Sequence, residues 1–168
     1  MKLYNRTKVP DNLLIPLLTV AGRKVGARTS KVVVIVNAAL RRGVSGLALE
    51  CYKTRRPGRW IETDGGAFII RIPNPREWWR RNALALAEDI FEVAMHEWTH
   101  VRDYQRVAAG EALAFDRARR GGRRPPHRLR HEEKRACAAV HDAKVAGIPM
   151  ETQEAILNLA IWYEEVRP

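Results

Sequence analysis

Apolar residues recur every three or four positions in NLLIPLLTVAGRKVG, residues 12–26, where Leu14, Leu17, Leu18, Ala21 and Val25 share one face. This spacing predicts an amphipathic helix, with Asp11 or Asn12 as its N-cap and Gly26 as its stop. The pattern then changes. In KVVVIVNAAL the β-branched run Val32 to Val36 predicts a strand at the centre of a sheet. Arg41, Arg42 and Gly43 follow as a turn, and GLALECYKT, residues 46–54, as a second strand closed by Arg56-Pro57-Gly58. Trp60 and Ile61, an Asp64-Gly65-Gly66 turn and Phe68 to Ile72 bring the total to three or four short strands before residue 75.

Helical spacing dominates the rest of the chain. Asn74, Pro75 and Glu77 fit a cap, a first-position proline and a capping-box acid, so a helix or helical turn is expected to start there. Leu84, Leu86, Ile90, Phe91, Val93, Ala94, Met95, Trp98, Val101 and Tyr104 cover more than one helical face, which predicts a helix buried on most sides, with Gly110 as terminator. The Gly/Pro stretch at 119–126 reads as a loop. Beyond it, residues 131–147 and about 151–166 predict two more helices. The first is stopped by Gly147 with Pro149 beyond, and the second carries Ile156, Leu159, Ala160, Tyr163 and Val166 on one side. Together these elements predict an α+β fold in one domain spanning residues 1–168: a small mixed sheet of three or four strands on a central helix, with an N-terminal helix and two C-terminal helices.

Composition narrows the class. A chain of 168 residues that is 46% hydrophobic is long and apolar enough to bury a core. Cys51 and Cys137 form neither a disulfide framework nor a CxxC pair. The run LLIPLLTVA, residues 13–21, is too short to span a bilayer and contains Pro16, so no membrane segment is expected. Lys2, Arg6 and Lys8 before that run, and Thr19-Val20-Ala21 at its end, which loosely resembles a cleavage site, leave a secretory reading open. Asp11 and Asn12 read better as a helix start, which favours a cytoplasmic protein, and a monomer is expected. The net charge of +11 is concentrated: RARRGGRRPPHRLRHEEKR, residues 117–135, carries nine Lys or Arg against two Glu, a local +7. Such a segment is either a solvated loop or a patch for nucleic acid or another acidic partner.

The chemistry concentrates in VAMHEWTHVRDYQ, residues 93–105. His96 and His100, four apart on a helix, project from one face and can reach a single ion. Glu97 lies about 100° round the helix from His96, beside a metal rather than on it. It is placed to take a proton from an activated water and pass it to a leaving amine. Imidazoles and a carboxylate inside a buried helix are costly to desolvate without a partner such as a metal ion. This is the division of labour of a zinc-dependent hydrolase. A catalytic zinc needs a third protein ligand. The extended metzincin arrangement would require Gly and His at positions occupied by Asp103 and Arg106, so the ligand comes from elsewhere. His127, His131, Glu132, Glu133, His141 and Asp142 are the downstream candidates.

HEWTHVRDYQ, preceded by a helix and strands ending in AFIIRI, resembles the core of small single-domain zincin metallopeptidases of the gluzincin type. The resemblance implies a Zn2+ enzyme acting on peptide or protein substrates, with His96 and His100 as ligands and Glu97 as general base. It also assigns to Phe68–Ile72 the role of an edge strand that holds extended substrate. In such families the third ligand is a Glu in an ExxA pattern on a later helix. Glu133-Lys134-Arg135-Ala136 matches it, with Glu132 the next candidate. An Asp four residues after that Glu commonly fixes a ligand histidine. Position 137 is Cys here, leaving Asp103 or Asp142 to substitute. The oxyanion donor is open among Tyr104, His127, His141, Tyr163 and the loop arginines. Two competing readings stand beside this one. One is a nucleic-acid-associated protein using residues 117–135, with or without a protease site, for which His127 or His131 would be the third ligand. The other is a zincin relic that binds metal and cleaves nothing.

Overall fold

The computed structural model describes residues 1–36, 47–50, 68–72, 82–113 and 131–166. It is an α+β fold of four strands and four helices among the described residues. A short strand β1 (Lys2–Asn5) leads into α1 (Asp11–Lys24), which crosses over to β2 (Val32–Val36). β1 and β2 are parallel, so a crossover element is required between them, and α1 is that element. β3 (Leu47–Glu50) and β4 (Phe68–Ile72) complete a sheet in the order β1-β2-β4-β3. β2 pairs parallel with β4, Val34 opposite Ile70, whereas β3 runs antiparallel to β4.

The expected central strand is therefore central. Val32, Val34 and Val36 alternate into the core, and Val33 on the opposite face is also buried. One strand was not foreseen and one expectation needs correction. β1 has no sequence signal of its own, because four residues, KLYN, carry no usable alternation and owe their strand geometry to pairing with β2. Phe68–Ile72 is not an edge strand: it is paired on both sides, and among the described residues the edges are β1 and β3. Ile70 and Ile72 are almost fully buried, as suits an interior strand. The strand expected at Trp60–Ile61 and the helix start expected at Asn74 lie outside the described residues.

α1 buries the anticipated face, with Leu14, Leu17, Leu18 and Ala21 inaccessible to solvent. Each buried leucine contributes about 1.5–3 kcal/mol. No side chain caps α1: its N-cap position is Pro10, and Asp11 lies in the first turn, where it accepts from Asn5 Nδ2 at 2.8 Å. Pro16 sits on the exposed face of the second turn. Thr19, Val20 and Ala21 lie within this helix, and no helix among the described residues is long and apolar enough to cross a membrane.

The central helix is α2 (Ala83–Ala108), 26 residues long. Asn82 caps it by accepting from the Ala85 amide at 2.7 Å, and the Glu164 carboxylate accepts from the Ala83 amide at 3.3 Å. α1, β3, β4 and two later helices, α3 (His131–Val145) and α4 (Met150–Glu165), all pack against α2, which explains why its apolar residues cover several faces. Leu84 and, just past the end of α4, Val166 are exceptions and remain exposed. Gly110 and Gly147 follow α2 and α3 at φ +95 and +79, conformations that favour glycine and stop a helix.

The second half of α2 is tied to the loop after α1. Gln105 accepts from the Arg28 amide at 2.9 Å and donates to the Arg28 carbonyl at 2.7 Å, so one side chain substitutes for a strand partner. Arg102 adds a bond to the Val25 carbonyl. These contacts hold the stretch of α2 that carries the histidines.

Candidate metal centre

The five residues of HEWTH divide cleanly between core and site because helical rotation sends them in different directions. Trp98 is fully buried and faces α1, where Gly22 lets the indole lie flat against the helix. A Cβ built on Gly22 would stand 3.0 Å from two atoms of that ring. Thr99, also buried, bonds back to the Met95 carbonyl at 2.9 Å. That leaves His96, Glu97 and His100 for chemistry.

His96 and His100 point toward α3, their rings meeting edge to face with centroids 4.9 Å apart. α3 comes close because the residue on the seam is Ala136, which is fully buried. Its first turn delivers Glu133. The Glu133 Oε2 atom stands 3.2 Å from His96 Nε2 and 3.8 Å from His100 Nε2, and the two Nε2 atoms are 3.1 Å apart. Three donor atoms from two helices thus form a compact triangle. Zinc bonded tetrahedrally at about 2.0–2.2 Å would separate its ligand atoms by about 3.3–3.5 Å. The observed triangle matches this to within about half an ångström, and two imidazoles with one carboxylate are a donor set that suits zinc.

Charge and burial differentiate the two histidines. Burial pulls His96 down, but its hydrogen bond to Glu133 and the charges of Glu97 and Glu133 outweigh this and hold the imidazole above its usual value. For His100 burial wins, helped by the charge of His96 and opposed by Glu133, Asp103 and Glu132. It is therefore held below its usual value, toward the neutral form that binds metal. The His100 side chain is 9% exposed, against 24% for His96 and 38% for Glu133, so the triangle is closed behind His100 and open beside the other two. Glu97, next to His96, is buried.

The remaining sequence candidates fall elsewhere. Glu132 acts on His100 only through its charge and is not one of the three clustered donors. His131 begins α3 and is exposed, and His141 and Asp142 form an exposed pair at 3.6 Å. Asp142 therefore does not substitute for the acid missing at Cys137, which is itself exposed. Asp103 does not hydrogen-bond a ligand histidine either: its two oxygens take Arg102 at 2.9 Å and Arg135 at 2.6 Å. Tyr163 is ruled out as an oxyanion donor by position. It lies beside Glu164, which reaches Ala83, and Ala83 precedes His96 by 13 residues or about 20 Å of helix. Burial pushes its phenol pKa upward. Tyr104, half-buried one turn beyond His100, stays on the α2 face that carries the histidines. His127 and most of the basic segment lie outside the described residues; within α3, its Arg135 is turned onto Asp103.

The pairing of Asp103 with Arg135 was not foreseen from the sequence. Its only local signal is the placement of an acid one turn after His100. Comparison with protein families, with curated proteins and with solved structures finds no match for this chain.

Proposed function

We propose that the protein is a zinc-dependent metallopeptidase that hydrolyses peptide bonds, with His96, His100 and Glu133 as the metal ligands and Glu97 as the general base. The observation that carries this reading is the triangle of donor atoms, 3.1, 3.2 and 3.8 Å on its sides, built from a HExxH helix and a glutamate 37 residues after the first histidine. A zinc ion held there would supply a water with a pKa near 7 and a Lewis acid for the substrate carbonyl.

The chain's own groups have separate tasks. His100, enclosed and biased toward the neutral form, offers a lone pair. Glu133 and His96 flank the open side, from which substrate approaches. Glu97 accepts a proton from the attacking water and returns it to the departing amine. An extended substrate has a natural place along β3, which among the described residues is an edge strand and lies against α2.

The test is purification in zinc-containing medium, followed by metal analysis and digestion of an unfolded protein substrate. Stoichiometric zinc and cleavage lost in Glu97→Gln are expected. Protein free of bound metal, or a Glu97→Gln variant as active as wild type, would overturn the proposal.

A further inference from the structure

α3 is a helix whose attachment to α2 needs explanation. Its buried residues are Ala136 and Ala143, with Val140 partly buried between them, and so small a set of side chains makes a shallow seam that resists rotation and sliding only weakly. Yet Glu133 reaches His96 to hydrogen-bonding distance, and a rotation by one residue would bring Glu132 there instead. Packing this slight leaves the rotation of the helix to be fixed by directional polar contacts as well.

The group that meets this need is the Asp103 carboxylate. It is fully buried on α2, three residues after His100. One oxygen accepts from Arg102 Nε and Nη2 at 3.2 and 2.9 Å; the other accepts from Arg135 Nε at 2.6 Å. Arg102 in turn donates to the Val25 carbonyl at the end of α1, so the carboxylate joins three helices. On α3, Glu133 and Arg135 lie about 60° and about 100° to either side of Ala136, straddling the seam. Two polar tethers on opposite flanks resist rotation in both directions. The other tether to α2, Lys144 to Glu92, joins partly exposed groups further along α3, where solvent screening weakens it.

The geometry points to Arg135, held by Asp103, as the positioning residue that aims Glu133 at the two histidines. A charge-assisted bond to a buried carboxylate is directional and costly to break, which apolar contact between alanines is not. It also accounts for the absence of an acid at Cys137: the acid is on α2 and acts on the helix of the third ligand rather than on a histidine.

This inference rests on the proposed metal site, and zinc affinity of the purified full chain, measured by competition with a chromogenic chelator, tests both. Arg135→Met is expected to bind zinc about 10- to 100-fold more weakly than wild type, the usual cost of losing a group that orients a ligand. Arg135→Lys, which keeps the charge without the fixed fork, should fall between and serves if the Met variant does not fold. In a Glu133→Ala background the same changes should alter affinity by less than about twofold, because there is no third ligand left to aim. Equal affinity of wild type and Arg135 variants, or an equal loss with and without Glu133, would overturn the positioning role. Failure of wild type itself to bind zinc would instead remove the metal site.

Discussion

Gly22 of α1 and Trp98 of α2 approach so closely that a Cβ on the glycine would meet the indole ring at 3.0 Å. Trp98 occupies the position between Glu97 and Thr99, so the fit of α1 against this ring governs where the adjacent histidines stand. Gly22→Ala would gain about 0.5–1 kcal/mol of helix propensity, but overpacking against a fully buried ring costs about 1–3 kcal/mol. The clash should win. Thermal or denaturant unfolding is expected to show net destabilisation; a variant more stable than wild type would mean that the ring has slack.

Removing any one ligand should abolish tight zinc binding. His96→Ala, His100→Ala and Glu133→Ala are each expected to weaken affinity by more than about 100-fold, beyond the loss usual for outer groups. Glu132→Ala should bind as wild type does. Metal analysis of these four proteins decides between the two glutamates, and normal zinc in Glu133→Ala with none in Glu132→Ala would reverse the assignment.

In the proposed site, Glu97 should separate binding from chemistry. Its carboxylate is not among the three donors, so Glu97→Gln should keep zinc within about threefold. Peptidase activity should fall by roughly 100- to 10,000-fold, the range for loss of a general acid or base. Steady-state cleavage of a peptide library by metal-loaded wild type and variant gives the comparison.

Asn82 offers a control remote from the site. Its side chain accepts from the Ala85 amide, and replacing it with alanine should cost about 1 kcal/mol of stability by opening the start of α2. Zinc affinity measured well below the unfolding temperature should be unchanged. A large loss of affinity would show that fraying at Ala83 travels along the helix to His96.

Much of this fold is legible in local pattern. Helical spacing marked the buried face of α1, the many-sided burial of α2 and the apolar side of α4, and the run Val32 to Val36 marked the central strand. What local pattern lacks is information about partners. β1 is a strand because β2 lies beside it, and β4 is interior because β3, although earlier in the chain, pairs on its far side. Similarly, HEWTH is readable as two ligands and a base, since all three are set by rotation along one helix. The choice of Glu133 over Glu132 depends on how α3 is turned, which follows from Ala136 on the seam and Arg135 on Asp103. No spacing rule within either helix contains that pairing, because it joins residues 32 apart.

The two histidines and Glu133 also have a consequence for the chain as a polymer. Glu133 stands 37 residues after His96, on a separate helix. An ion shared between them would be a crosslink, closing a loop much as a disulfide does, in a chain whose described cysteine is unpaired. Loops of this size lose conformational entropy worth about 3–5 kcal/mol when closed in the unfolded state. Because an ion can leave without a covalent bond being reduced, such a staple would make the joining of α3 to α2 reversible, with the same atom serving as reagent and as rivet.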